Sequence, residues 1–89
     1  MTSWFTGIVT DEDGNPIEGA QVGILGILHN VTTTSRGEYW RLLLPGNYHL
    51  GITAWGYEPS ALTSITVVDG ITTNMNISLK RATPPSGTD

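Results

Sequence analysis

The chain has 89 residues, 8 acidic against 4 basic side chains for a net charge of −4, 38% apolar residues and no cysteine. Surface scaling predicts burial of about 63% of the unfolded chain's surface, which allows one small core and no second domain. That leaves little scaffold for a catalytic cleft, no positive field for nucleic acid, and no disulfide, thiolate nucleophile or Cys-based zinc site.

The longest uncharged apolar run, Val22 to Leu28, is far too short to span a bilayer, so no direct membrane insertion is expected. No basic stretch followed by an apolar one opens the sequence; a signal peptide is either absent or already removed. Strand-type runs recur at a spacing of roughly 8–12 residues between Gly, Pro, Asp and Asn clusters, without a sustained helical period. Seven strands are predicted, over residues 4–10, 20–25, 31–34, 38–44, 48–55, 61–67 and 71–80, and the class is all-β.

In the first strand, alternation assigns Phe5, Gly7 and Val9 to the inner face. The sequence Asp11-Glu12-Asp13-Gly14-Asn15-Pro16 then begins like a calcium loop, with oxygen ligands at alternate positions. Pro16 and Val22 stand where an EF-hand loop needs Gly and Glu. A tight turn is predicted instead, with Asp and Asn bonding nearby backbone, Gly14 at positive φ and Pro16 setting the exit.

Ala20, Val22 and Ile24 form the next inner row. The uncharged, Pro-free stretch that follows makes Val22, Ile24, Leu25, Ile27 and Leu28 a candidate aggregation segment, tempered by two glycines. Self-association of the isolated domain is the corresponding expectation. Two N-glycosylation sequons occur, Asn30-Val31-Thr32 and Asn76-Ile77-Ser78. Asn30 is expected in a loop and Asn76 on an outward row, both accessible in a secretory chain.

Residues 38–44 are apolar on both rows, Trp40, Leu42 and Leu44 alternating with Tyr39, Arg41 and Leu43. Either this strand is central, or one face meets something outside the domain; Tyr39, Arg41 and Leu43 are the candidate interdomain row. Tyr48, Leu50, Ile52 and Ala54 point inward in the next strand, leaving His49 outward. His29 and His49 are too few for a three-ligand zinc site and lie in no zinc-binding spacing. With no nucleophile elbow, and with the acids spread over loops, no catalytic, cofactor or metal residue is assigned. Trp55 and Tyr57 offer stacking faces for a glycan, although rim or interface aromatics are the better explanation of them.

The Val68-Asp69-Gly70 connection bears on register. If the last two strands pair, a three-residue loop with Gly70 left-handed puts Ile65 and Val67 on one face with Ile71, Thr73 and Met75, and Ile77 and Leu79 continue the inner row. After Lys80 the composition changes to RATPPSGTD. The domain is therefore expected over 1–80 and a linker or tail over 81–89, as in a module of a longer chain.

The blocks G-I-V-T-D-E-D-G-N-P-I-E-G-A-Q-V, H-N-V-T-T-T, G-E-Y-W-R-L-L-L-P-G-N-Y and A-W-G-Y-E-P lie in order along residues 7–59. Together they resemble the transthyretin-like domain of N/E-subfamily metallocarboxypeptidases, the third block being the most specific. The resemblance, over residues 5–80, implies a seven-stranded prealbumin-like sandwich of two sheets, with the strands at 61–67 and 71–80 in different sheets. It further implies a zinc carboxypeptidase domain immediately before this one, in a secreted or membrane-anchored protein that removes C-terminal Arg or Lys from peptides. Zinc would belong to that domain, since none of its ligands has a counterpart here.

The leading expectation is thus a non-catalytic accessory domain that packs on the adjacent catalytic domain of the same chain and supports its folding or stability in the secretory pathway. The alternative is a cell-surface binding or adhesion sandwich that takes glycans at Trp55 and Tyr57.

Overall fold

A computed structural model describes residues 2–82, which form two β-sheets and no helix. The strands are β1 (Ser3–Thr10), β2 (Gln21–Ile24), β3 (Val31–Thr32), β4 (Glu38–Leu43), β5 (Gly46–Thr53), β6 (Thr63–Val67), β7 (Thr73–Asn74) and β8 (Ile77–Ser78). One sheet has β1 between β4 and the β7–β8 pair; the other has the order β3-β2-β5-β6. β4 runs antiparallel to β1, whereas β7 and β8 both run parallel to it.

The core lies between the sheets. Phe5, Val9, Tyr39, Leu43 and Leu79 meet Val22, Ile24, Leu50, Ile52, Ile65 and Val67, with Ile17 and Ala20 closing one end. Period-two alternation is the cause, since it sends the apolar row of each strand to one side. Thr33, within the strand expected over 31–34, lies just past the end of β3 and is buried. Its hydroxyl donates to Ile17 O at 2.6 Å and accepts from Ala20 N at 2.9 Å, which satisfies the buried ends of that turn.

The predicted hairpin across residues 68–70 does not form. β6 pairs with β5 in one sheet and β7 with β1 in the other, as the family resemblance implied. Gly70 does adopt a left-handed φ of 75°, and Ile71 N–H closes a turn on Val68 O at 3.1 Å, but the turn redirects the chain between sheets. Gly70 N–H is anchored to Ser3 Oγ at 2.9 Å. Ile71 consequently lies exposed at the crossing rather than in the inner row.

The strand expected over 71–80 is divided. β7 and β8 keep one register against β1, Thr6 opposite Asn74 and Thr10 opposite Ser78, so nothing is inserted between them. The break arises because Met75 O leaves the ladder. Ile8 N–H, its parallel-sheet partner by position, bonds instead to the side-chain Oδ1 of Asn76 at 3.0 Å. Arg81 and Ala82, the first residues of the expected linker, bond back to the domain through Arg81 N–H to Glu12 and Ala82 N–H to Gly56 O. The remainder of that stretch lies outside the described residues.

Candidate docking face

The register of β1 against β4 decides which of the two apolar rows is free. Directly opposite residues of an antiparallel pair project to the same face. Ser3, Phe5 and Gly7 face Leu43, Arg41 and Tyr39, while Trp4, Thr6 and Ile8 face Leu42, Trp40 and Glu38. Because Phe5 is fully buried, the first set is internal. The assignment of Tyr39, Arg41 and Leu43 as the interdomain row is therefore corrected. Tyr39 and Leu43 are core residues, and Arg41 turns aside so that its Nη1 donates to His29 O.

The outer face carries Trp4, 46% exposed, Trp40, 51%, Leu42, 49%, and Ile8, 39%, with Leu44 at its end. Three of these come from alternate positions of the strand whose two faces could not be told apart. The other two, Trp4 and Ile8, follow from the inward assignment of Phe5 and Val9: if those point in, their neighbours point out. Contiguous apolar surface of this kind marks interaction sites. Between Trp4 and Trp40 runs a groove of about 420 Å³ that crosses Gly7 and includes Thr6, Glu38 and Asn74. Asn74 Nδ2 donates to Thr6 Oγ1 at 3.2 Å.

The other candidates are dispersed. Asn30 is exposed, its Nδ2 donating to Gln21 Oε1 at 3.3 Å. It borders the outer surface of the β3-β2-β5-β6 sheet. Asn76 is exposed on the β4-β1-β7/β8 sheet. In the Val22–Leu28 segment, Val22 and Ile24 are buried and β2 is paired on both sides, Ile27 packs on the core, and Leu25 and Leu28 are exposed in the following loop. Trp55 is 98% exposed, whereas Tyr57 packs against the core and its backbone bridges to Arg81. His29 and His49 are both exposed, and no cluster of three His, Asp or Glu that could hold a metal exists among the described residues.

The Asp11 loop is a turn. Asp11 Oδ1 accepts from Asp13 N and Asn15 N, each at 2.9 Å, and Gly14 has φ 86°. Arg81 occupies the outward side of the loop, 3.1 Å from Asp11 and 3.4 Å from Asp13. The Asn15 backbone N–H, aided by that of Asp13 and by the Arg81 charge, holds the Asp11 carboxyl below its ordinary range against the opposing effect of burial.

Residues 5–80 match the family model described as carboxypeptidase regulatory-like domain. The carboxypeptidase N catalytic chain of Rattus norvegicus is 44% identical over 77 residues, which is 86% of this chain and 17% of that protein. Carboxypeptidase D of Homo sapiens is 39% identical over 75 residues, 83% of this chain and 5% of that protein. Carboxypeptidase Z of Gallus gallus is 51% identical over 51 residues, 57% of this chain and 8% of that protein. The chain thus spans a small part of the curated relatives it matches.

Among solved structures, a streptococcal ancillary pilin superposes with a TM-score of 0.76 at 18% identity, covering 91% of this chain and 33% of the pilin. The wild-type catechol 1,2-dioxygenase of Acinetobacter radioresistens gives 0.73 at 17%, covering 99% of this chain and 55% of the enzyme. At such identities these neighbours share the sandwich alone. With the family pattern running from one end of the core to the other, the chain belongs to the carboxypeptidase regulatory-like domain family.

Proposed function

We propose that the chain is a non-catalytic accessory module that docks through the outer face of its β4-β1-β7/β8 sheet onto a zinc metallocarboxypeptidase domain of the same protein, and supports that domain's folding or stability. The carrying observation is the half-exposed row of Trp4, Ile8, Trp40 and Leu42. Tryptophans at the centre of an interface are typical anchors, and truncating one costs about 2 kcal/mol or more. The relatives support the neighbour's identity: they are carboxypeptidases in which the matched segment is 5% to 17% of the length. The enzyme so assembled would remove C-terminal Arg or Lys in the secretory pathway, with its zinc held by the catalytic domain. Exposed sequons at Asn30 and Asn76 fit that compartment.

The test is to express the parent chain with the module intact, deleted, and carrying Trp4→Ser with Trp40→Ser. The expected result is a lower yield and lower melting temperature of the catalytic domain in both altered chains, while the doubly substituted module melts like the unaltered one. A catalytic domain that folds and melts normally without the module overturns the reading.

A second reading, a glycan-binding sandwich, has one observation in its favour, the uncovered indole of Trp55. Glycan-array binding abolished by Trp55→Ala would favour it.

A further inference from the structure

We propose that the groove between Trp4 and Trp40 seats an arginine side chain presented by the adjoining catalytic domain. This rests on the docking reading and names the chemistry at the centre of that contact.

Trp40 lies opposite Thr6, and Trp4 lies two residues before Thr6 on β1. The two indoles are therefore diagonal neighbours, with strand positions roughly 7–8 Å apart. Both line the groove, whose floor is the β1 backbone from Thr6 to Ile8. Indole faces attract cations through the ring quadrupole, most strongly once water is excluded.

The polar groups point the same way. Glu38 is the one charged residue lining the groove, and it pairs with no cation among the described residues. Asn74, which lines the groove from the β7 side, spends its Nδ2 on Thr6 and so keeps its Oδ1 as a second acceptor.

Burial selects among occupants. An apolar partner side chain would dehydrate the Glu38 carboxylate without pairing it, which is unfavourable. An acidic one would be repelled. A cation alone satisfies both the indoles and Glu38, and of the two basic side chains arginine fits better. Its planar guanidinium stacks on an aromatic face while its forked donors serve separate acceptors, whereas a lysine ammonium is a compact point charge. The chain's net charge of −4 favours the approach of a basic partner surface, and the bulk of each matched relative lies outside the segment described.

The 89-residue chain, labelled at its indole N–H groups, can be titrated with N-acetyl-arginine amide, N-acetyl-lysine amide and the neutral isostere N-acetyl-citrulline amide. The expected result is saturable shifts of Trp4 and Trp40 at about 100 mM arginine probe or below, with Trp55 unmoved and citrulline about tenfold weaker. Glu38→Gln should erase the difference between arginine and citrulline. Equal binding of citrulline, no effect of Glu38→Gln, or no saturable shift overturns the groove assignment and leaves the docking face standing on its own test. Lysine binding as tightly as arginine overturns the guanidinium.

In the parent chain, Glu38→Lys should lower the catalytic domain's melting temperature more than Glu38→Gln does, while neither changes the melting of the module alone. Equal effects of the two substitutions overturn the proposed occupant even where the titration succeeds.

Discussion

The hydroxyl of Tyr39 on β4 donates to the backbone carbonyl of Met75, 36 residues later and on the far side of β1. The side chain crosses β1 at Gly7, where an added Cβ would collide with both Met75 O and the Tyr39 hydroxyl. Two exchanges follow from this one contact. Met75 O leaves the parallel ladder for Tyr39, and the Ile8 N–H it would have accepted is taken by Asn76 Oδ1. The division of the last strand into β7 and β8 is the visible result, and every backbone group involved retains a partner.

Tyr39→Phe removes the donor from a carbonyl that has left its ladder, and should cost about 1–2 kcal/mol in urea unfolding. Gly7→Ala should cost about 3 kcal/mol or more, since both colliding groups are held by the fold. Asn76→Ala alone should cost about 1 kcal/mol. Combined with Tyr39→Phe it should cost less than the sum, because Met75 O is then free to return to Ile8 N–H. Strictly additive costs would show that the two exchanges are unconnected.

Burial raises the Tyr39 phenol above its ordinary range. The unfolded phenol ionises near pH ~10 while the folded one stays protonated, so above that pH the unfolded state binds fewer protons. Stability should be independent of this group below pH ~10 and fall above it, by up to about 1.4 kcal/mol per pH unit. Urea titrations between about pH 8 and 11 should show a shallower decline in Tyr39→Phe; equal declines would mean that other groups dominate.

Asp11 titrates in the opposite sense. Its carboxyl is held low by the Asn15 N–H, with smaller help from the Asp13 N–H and Arg81. Its contribution is therefore present above the unfolded value near ~3.9 and is lost as pH falls through the lower folded value. Asp11→Asn keeps an acceptor for the two N–H groups but not the charge facing Arg81. It should be less stable than the parent at neutral pH and lose less on acidification, as read from urea midpoints across the acid range. A parallel acid limb in the variant would remove Asp11 from the account.

Much of the fold was legible because alternation is a local property. Phe5, Val9, Val22, Ile24, Leu50 and Ile52 fall on the inner face as their strands require. The exposed apolar row was not, because residues 38–44 are apolar on both rows and only pairing with β1 distinguishes them. The preceding Trp4 and Ile8 carried the needed signal, being apolar on a row that alternation had already turned outward. The last hairpin failed for a different reason. The turn chemistry at Gly70 was right, but a turn constrains four residues and says nothing about which sheet the exiting chain joins. The break at Met75 depends on a tyrosine two strands away, and no local pattern encodes it.

Any aggregation through the Val22–Leu28 segment would require opening, since Val22 and Ile24 are buried and β2 is paired on both sides. Leu25→Lys, at an exposed loop position, should change stability by less than about 0.5 kcal/mol. It should nevertheless slow thioflavin-positive aggregation of the isolated chain under mildly denaturing conditions. Unchanged aggregation would place the responsible segment elsewhere.

The two sequons lie over opposite sheets, and that bears on docking. Asn30 borders the outer surface of the β3-β2-β5-β6 sheet. Asn76 bonds to Ile8 N–H on the sheet that carries Trp4 and Trp40. A glycan at Asn76 would stand beside the groove and exclude a neighbouring domain, whereas one at Asn30 would cover a surface with no proposed partner. The folded, secreted parent chain should therefore lose a glycosidase-sensitive mass shift on Asn30→Gln and show none attributable to Asn76. Introduced glycosylation beside the groove, through an Asn-x-Thr sequon made by Ser78→Thr, should lower the yield of active enzyme if the site becomes occupied. Full occupancy of Asn76 in active, well-folded enzyme would move the docking surface away from this sheet, because a branched glycan and a packed domain cannot share the area around Ile8.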